Sequence, residues 1–518
     1  MNTIRTFFEG EGWSIFVLIA LILSVLFWIG CIFGIAIFYY LIFSIEFVFG
    51  FYCLLLLIVY VMLFHMASIS IRKYLRKKNS GYKKTLMESE IVPGVSIVAP
   101  AYNESVTIVN NVRSLMTLFY PRYEVVIVND GSKDDTLAKL IGEFDLVAVD
   151  FVVDYLVPCK EIKAIYKSRD ISHKRLTVID KINGGSKADA VNAGINVAAF
   201  PYILNTDVDC VLANDTLVQL MGAVLDSKDR VIAVGATLRM SNSSYVDSGM
   251  LVEAALPKAI LARFQEMEYF RSYLLGKMGW NYLNCVPNVS GGLGLFDKEI
   301  LISAGGYDSH SLGEDMEIIT RMCMVMCDTN EKYEVRYIPE TLCWTEGPDS
   351  LKMLTRQRIR WARGLMQIMR THRKAFFNPK YKQFGMIVFP YNALFEFFAP
   401  VIEILGIFLY IYLILTEGIN WPMAILLLIF VYMFSVFLTS FSILLDNYVY
   451  KYYKRRRDII QLCLTAFMEP ILYHPIIVYS SIKGYIQELF GKKHAWGEMQ
   501  RKGTLSPFIS RQDNKIEK

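Results

Sequence analysis

Asp207 and Asp209 close a short apolar run, Tyr202-Ile-Leu-Asn205. Side chains two residues apart on a strand point to the same side. Both carboxylates therefore face one way at the strand's end, as oxygen ligands suited to a hard divalent cation, Mg2+ or Mn2+. Polar motifs also follow two earlier apolar runs. Pro100-Ala-Tyr-Asn-Glu104 comes after Val95–Ala99, and Asn129-Asp-Gly-Ser132 comes after Tyr123–Val128. Singly, each reads as a strand-end turn with a helix cap. At equivalent strand ends they describe a nucleotide pocket, with Tyr102 offering an aromatic face and Glu104 and Asp130 accepting from the N–H of a uracil ring. The stretch Asn183–Ala190 opens a helix, and its first amides together with Lys187 are placed to hold a diphosphate.

Two later motifs add acids and cations. Glu314 and Asp315 stand at the start of a helical run. Acids there complement the helix dipole and equally supply a general base. Gln357-Arg-Ile-Arg-Trp361, flanked by Arg356 and Arg363, embeds one tryptophan among cationic donors next to a segment entering the membrane. By itself it reads equally as a headgroup anchor.

The elements that must position these residues alternate short β-branched runs with helical stretches. The runs are 95–99, 123–128, 176–179, 202–205 and 231–234, the pattern of an α/β domain with a mostly parallel sheet. Such sheets bind ligands at the carboxyl ends of their strands, where the motifs fall. This domain is expected at about 85–375, between segments of different character. The chain of 518 residues is 54% hydrophobic and 20% charged, too apolar for an ordinary soluble protein. From Trp13 to Ile71 the one formally charged side chain is Glu46, and two spans are expected within residues 1–70, near 14–39 and 46–68. The stretch is too long and aromatic for a cleaved signal peptide. Arg72, Lys73, Arg76, Lys77, Lys78, Lys83 and Lys84 follow, which places the next segment in the cytoplasm.

An interfacial helix is expected at 376–398 and further spans within 399–490, near 399–416 and 421–445. The stretch 459–482 reads as a span, a re-entrant hairpin or an interfacial helix, and 491–518 as a tail. A net charge of +5 from 54 basic and 49 acidic residues excludes dedicated nucleic-acid binding. Nine cysteines without a framework spacing fit a reduced cytosolic face.

Taken together and in order, these motifs resemble the membrane-integrated family 2 glycosyltransferases, the group of cellulose, hyaluronan and poly-N-acetylglucosamine synthases. The resemblance covers about 95–375 by motif and the flanking apolar segments by order. It implies a GT-A fold with a UDP-sugar bound by Tyr102, Glu104, Asp130 and Lys187, although Ser186 separates Lys187 from the glycines. It also implies a metal on Asp207 and Asp209, and Asp315 as the catalytic base beside Glu314. Gln357, Arg358, Arg360 and Trp361 then form a QxxRW motif meeting diphosphate and acceptor, and Ser290 and Gly291 of Asn288–Gly294 stand in an acceptor-binding segment. The implied reaction is an inverting, processive transfer that builds a β-linked glycan and extrudes it through the protein's own helices, where Glu396, Glu403, Glu469 and His474 supply polar groups. Membrane lipid is expected around those helices, and any regulation would need another chain, an accessory or regulatory subunit. Two other readings stay open: addition of one sugar to a lipid acceptor, and a transporter or scaffold with an inactive domain.

Overall fold

The computed structural model describes Ser24 and residues 35–78, 91–247, 250–450 and 452–491. Its strands are β1 (Val95–Ala101), β2 (Tyr123–Asn129), β3 (Leu146–Val149), β4 (Ile162–Ser168), β5 (Leu176–Lys181), β6 (Tyr202–Thr206), β7 (Val211–Leu212), β8 (Arg230–Met240), β9 (Tyr245–Asp247), β10 (Met250–Glu253), β11 (Leu293–Asp297) and β12 (Tyr333–Thr345). Ten of them form one sheet in the order β3-β4-β5-β2-β1-β6-β11-β8-β12-β7, and β9 pairs with β10. The α/β architecture expected from the runs is present. β5, β2, β1 and β6 are mutually parallel at its centre. Their apolar side chains, Ile97, Val98, Val126, Val178 and Leu204 among them, are fully buried, as strands covered on both faces require.

The sheet is more mixed than the runs indicate. β11 is antiparallel to both β6 and β8, and β7 is antiparallel to β12. β4, antiparallel to β3 and β5, reads Ile-Lys-Ala-Ile-Tyr-Lys-Ser and is largely half-buried, so it carries little apolar signal. The helix Lys187–Val197 packs on β1 and β2. It lies so close that a Cβ at Gly194 would stand 2.3 Å from Val98.

Among the described residues, three helices are long and apolar enough to cross a membrane: Phe47–Lys77, Phe384–Leu415 and Trp421–Tyr450. Leu426, Leu428 and Phe408 are exposed on them, which suits lipid rather than water. The expected span at 14–39 lies, except for Ser24 and residues 35–39, outside the described residues. The helix Ile35–Lys78 runs through 40–45 without the interruption expected there, because Tyr40–Ile45 contains no helix breaker. Likewise 384–398 is not separate from the next helix. The Phe398 amide donates to the Ala393 carbonyl across a π turn, which carries the helix up to Pro400. Residues 456–489 form two helices, Arg456–Ala466 and Glu469–Leu489, meeting at 50°.

Candidate active site

β11 sets the geometry of the site. Its register pairs Leu293 with Thr206, so the preceding Gly292 comes opposite Asp207. The Thr206 hydroxyl donates to the Gly292 carbonyl at 2.9 Å. A Cβ at Gly292 would lie 3.7 Å from Asp207 Oδ2, and one at Gly291 would lie 3.6 Å from Lys187 Nζ, 3.9 Å from Glu314 Oε1 and 3.9 Å from Asp315 Cβ. Three motifs, separated by up to 128 residues of chain, thus surround one short backbone segment. Asp207, Asp209 and Cys210 bring ligand atoms within 4.8 Å of one another, and two carboxylates in that set suit a hard cation. The Cys210 amide donates to the Asp207 carbonyl at 3.0 Å, closing the turn that sends the chain into β7.

Lys187 is the first residue of its helix, where Ser186 caps by accepting from the Asp189 amide. Its ammonium donates to the Gly291 carbonyl at 2.7 Å and pairs with Asp207. Burial works against the charge, but Asp207 and Glu314 outweigh it and hold the Lys187 pKa above that of an ordinary lysine. This lysine bridges the aspartates to the acids at 314–315.

At the far ends of β1 and β2, Tyr102 is 38% exposed. The loops carrying Tyr102 and Asp130 are tied together. The Asn103 amide donates to Ser132 Oγ at 3.0 Å, and the Lys133 amide donates to Asn103 Oδ1 at 2.8 Å. The Glu104 amide donates to Thr136 Oγ1 at 2.9 Å. Asp130 is more committed than the sequence indicates. Its Oδ1 accepts from Lys181 Nζ at 2.6 Å and from the Gly184 amide at 3.0 Å. Lys181, fully buried at the end of β5, also pairs with Asp189. The sequence reading missed Lys181 and Asp189, since an isolated lysine ending a strand carries no signal. A Cβ at Gly184 would come 2.0 Å from Asp189 Oδ2, which explains the glycine there.

Glu314 and Asp315 begin the helix Glu314–Asp328. Glu314 is buried, which raises its pKa, and Arg360 opposes that rise. Arg360 Nη1 stands 3.5 Å from Glu314 Oε2 and donates to the Leu312 carbonyl at 3.1 Å. Arg360 belongs to the helix Leu351–Thr371, which packs on the loop before Glu314 through Gly364.

Arg358 departs from the expectation that it meets phosphate. It is buried and donates from both Nη atoms to the Glu268 carboxylate, at 2.8 and 2.6 Å, and to the Tyr473 hydroxyl at 2.8 Å. Trp361 lies under its guanidinium at 4.2 Å. Two residues apart on a helix means about 200° of rotation, so Arg358 and Arg360 cannot face the same ligand. Gln357 accepts from Gln265 at 3.2 Å. Burial pushes the Tyr273 pKa up, and Ser290 opposes that rise.

The family model described as "Glycosyltransferase like family 2" matches residues 93–364, slightly more than half of the chain, and the chain belongs to that family. Similar relatives include the poly-beta-1,6-N-acetyl-D-glucosamine synthase of Staphylococcus epidermidis, 28% identical over 282 residues that cover 54% of this chain and 57% of the relative. The synthase of the same name from Staphylococcus aureus strain COL is 25% identical over 329 residues, 63% of this chain and 66% of its own. The chain thus spans less than two thirds of the curated relatives it matches. Among solved structures, a mannosyltransferase from Pyrobaculum calidifontis in complex with GDP-Man and Mn2+ matches at a TM-score of 0.46 and 16% identity, covering 83% of this chain and all of that one.

Proposed function

We propose that the chain is an inverting, processive glycosyltransferase of GT-A fold that polymerises a UDP-activated sugar, UDP-N-acetylglucosamine first among candidates, into a β-linked polysaccharide. The observation that carries the reading is the convergence on Gly291 and Gly292 of Asp207, Lys187, Glu314 and Asp315. A sugar transfer needs leaving-group stabilisation and a base within a few ångströms of each other, and this segment has both. The similarity to poly-beta-1,6-N-acetyl-D-glucosamine synthases supports the sugar and the polymer.

Tyr102 would stack on the uracil, with Glu104 and Asp130 accepting from its ring N–H. Asp207 and Asp209 would hold a divalent cation, which when bound offsets the charge of the departing UDP. Lys187 and Arg360 would carry that charge on the protein's side. Asp315 takes the proton from the acceptor hydroxyl as its oxygen bonds to the anomeric carbon and the bond from that carbon to the diphosphate breaks. Buried Glu314, held by Arg360, fixes the neighbouring helix start. Because the displacement is single, no enzyme nucleophile is needed.

Phe47–Lys77, Phe384–Leu415 and Trp421–Tyr450 would place the chain in the cell membrane as a multi-pass protein with the sheet on the cytoplasmic side. Polar groups meet within this part: His474 and Glu403 pair at 2.8 Å, and Arg271 Nη2 pairs with Glu469 at 2.8 Å. These would line a route for the glycan. The test is product analysis with purified protein, a divalent metal and each UDP-sugar in turn. A long homopolymer from one donor supports the reading. A lipid bearing a single added sugar, with no longer species, would replace it.

A further inference from the structure

Lys277 belongs to none of the motifs above. It ends the π-helical stretch Arg271–Lys277, which continues into the helix Met278–Tyr282. π-Helical turns are rare and frequent at functional sites. The side chain is 5% exposed, and its ammonium lies 4.7 Å from the Tyr273 ring centre and 5.3 Å from that of Tyr337. Both tyrosines are buried. Among the described residues, no carboxylate comes within 4.0 Å of this ammonium. An ammonium withdrawn from water costs several kcal/mol unless its charge and N–H groups are met. Two ring faces and a nearby carboxylate meet the charge in part, but they leave the N–H groups as donors for a ligand.

The surroundings identify that ligand. Tyr337, against which Lys277 lies, covers Gly235, where a Cβ would come 3.0 Å from its ring, and Gly235 pairs with Gly294 of β11, two residues past Gly292. The ammonium is thus held over the strand that begins after the Gly291 and Gly292 segment, and the Asp315 charge acts on it. Ser290 opposes the burial-driven rise in the pKa of Tyr273, the tyrosine over Lys277, and Gly291 next to Ser290 lies beside Asp315. One turn further, Trp280 meets Tyr391 of the helix Phe384–Leu415 edge-on at 4.7 Å. Tyr273, Lys277 and Trp280 share one helix face, which leads from the base towards the apolar helices.

We propose that Lys277 is an acceptor-binding residue, whose ammonium donates to oxygens of the terminal sugar of the growing glycan and thereby points its hydroxyl at Asp315. This rests on the transferase reading above. Burial lowers the Lys277 pKa to about 8, with Asp315 opposing the fall. The other titratable groups facing it are Tyr273 on its own helix and Tyr337 on β12. Since the donor form is the protonated one, binding is complete below pH 8 and weakens as pH rises through that value.

The experiment compares wild type, Lys277→Met and Lys277→Arg, using a short β-linked N-acetylglucosamine oligosaccharide as acceptor. Lys277→Met is expected to raise the acceptor KM about tenfold or more while UDP affinity stays within about twofold. Its melting temperature should not fall, because an apolar chain replaces a buried charge. Lys277→Arg, charged throughout, should move the alkaline fall in acceptor binding above pH 8. An unchanged acceptor KM in Lys277→Met, or a pH profile in Lys277→Arg that matches wild type, would overturn the proposal. Wild type that makes no glycan from any UDP-sugar would instead defeat the transferase reading, so the two failures are distinguishable.

Discussion

Gly364 offers a sharp test of how the acids at 314–315 are held. It lies on the helix that carries Arg360, and a Cβ there would stand 2.6 Å from the Gly313 amide nitrogen, 2.8 Å from the Leu312 carbonyl carbon and 2.9 Å from Gly313 Cα. All three are backbone atoms, so no side chain can swing aside. To reach an ordinary 3.4 Å contact, the loop and helix must separate by roughly 0.8 Å. Glu314 and Asp315 follow directly on that loop and would move with it, away from Arg360 and Lys187. Misplacement of a reacting group by about 1 Å costs on the order of 100-fold in rate. Gly364→Ala is therefore expected to lower transfer by about 10- to 100-fold, with an overpacking cost of about 1–3 kcal/mol in stability. UDP affinity should change little, since Tyr102 and Asp130 lie on other loops. Gly313→Ala, whose Cβ would meet Ile368 Cδ1 at 3.2 Å and Gly364 Cα at 3.4 Å, should be milder. Gly142→Ala, with nothing within 4 Å, should be neutral. The assays are initial rates of glycan synthesis, UDP titration and thermal melting. A folded Gly364→Ala enzyme working at the wild-type rate would refute the claim that this contact sets the position of the base.

Asp315→Asn should retain UDP binding and lose about 100- to 10,000-fold in transfer, as a missing general base does. Turnover near that of wild type would remove the assignment. Asp209→Ala should weaken UDP binding when Mg2+ or Mn2+ is present and have little effect under chelation, measured by titration in both conditions. UDP affinity that is independent of metal in wild type would rule out the Asp207 and Asp209 site. Arg358→Ala and Arg360→Ala should differ in kind. The first leaves Glu268 without its cation, with only the Tyr473 hydroxyl still donating to it, and should cost about 3–5 kcal/mol of stability in thermal melts, with UDP affinity kept in the folded fraction. The second should lower UDP affinity with little change in melting.

Much of the site could be read because its determinants are local. A local turn after β6, closed by the Cys210 amide on the Asp207 carbonyl, rather than the strand periodicity expected there, brings Asp207 and Asp209 together, and the apolar runs that become β1, β2, β5 and β6 put Tyr102, Glu104 and Asp130 at strand ends. The charge-poor stretches around 47–71 and 399–445 mark helices that water would not tolerate.

Other features depend on residues far apart in the chain. Nothing near Leu293 indicates that it enters the sheet beside β6, antiparallel among largely parallel strands, yet that pairing brings Gly292 opposite Asp207. Gln357-Arg-Ile-Arg-Trp361 reads as one cationic motif, but the helical rotation between Arg358 and Arg360 sends one to Glu268 and the other to Glu314. Lys181 and Lys277 carry no motif at all, and they acquire partners only when β5 meets the loop after β2 and when the helix at 271–282 packs on β12. The sequence by itself therefore determined the kinds of groups available and the local elements that present them, since backbone periodicity and solvent preference act over a few residues. Which groups share a site was decided by the tertiary structure, because a buried charge or a strand register is settled by pairing across a hundred residues of chain.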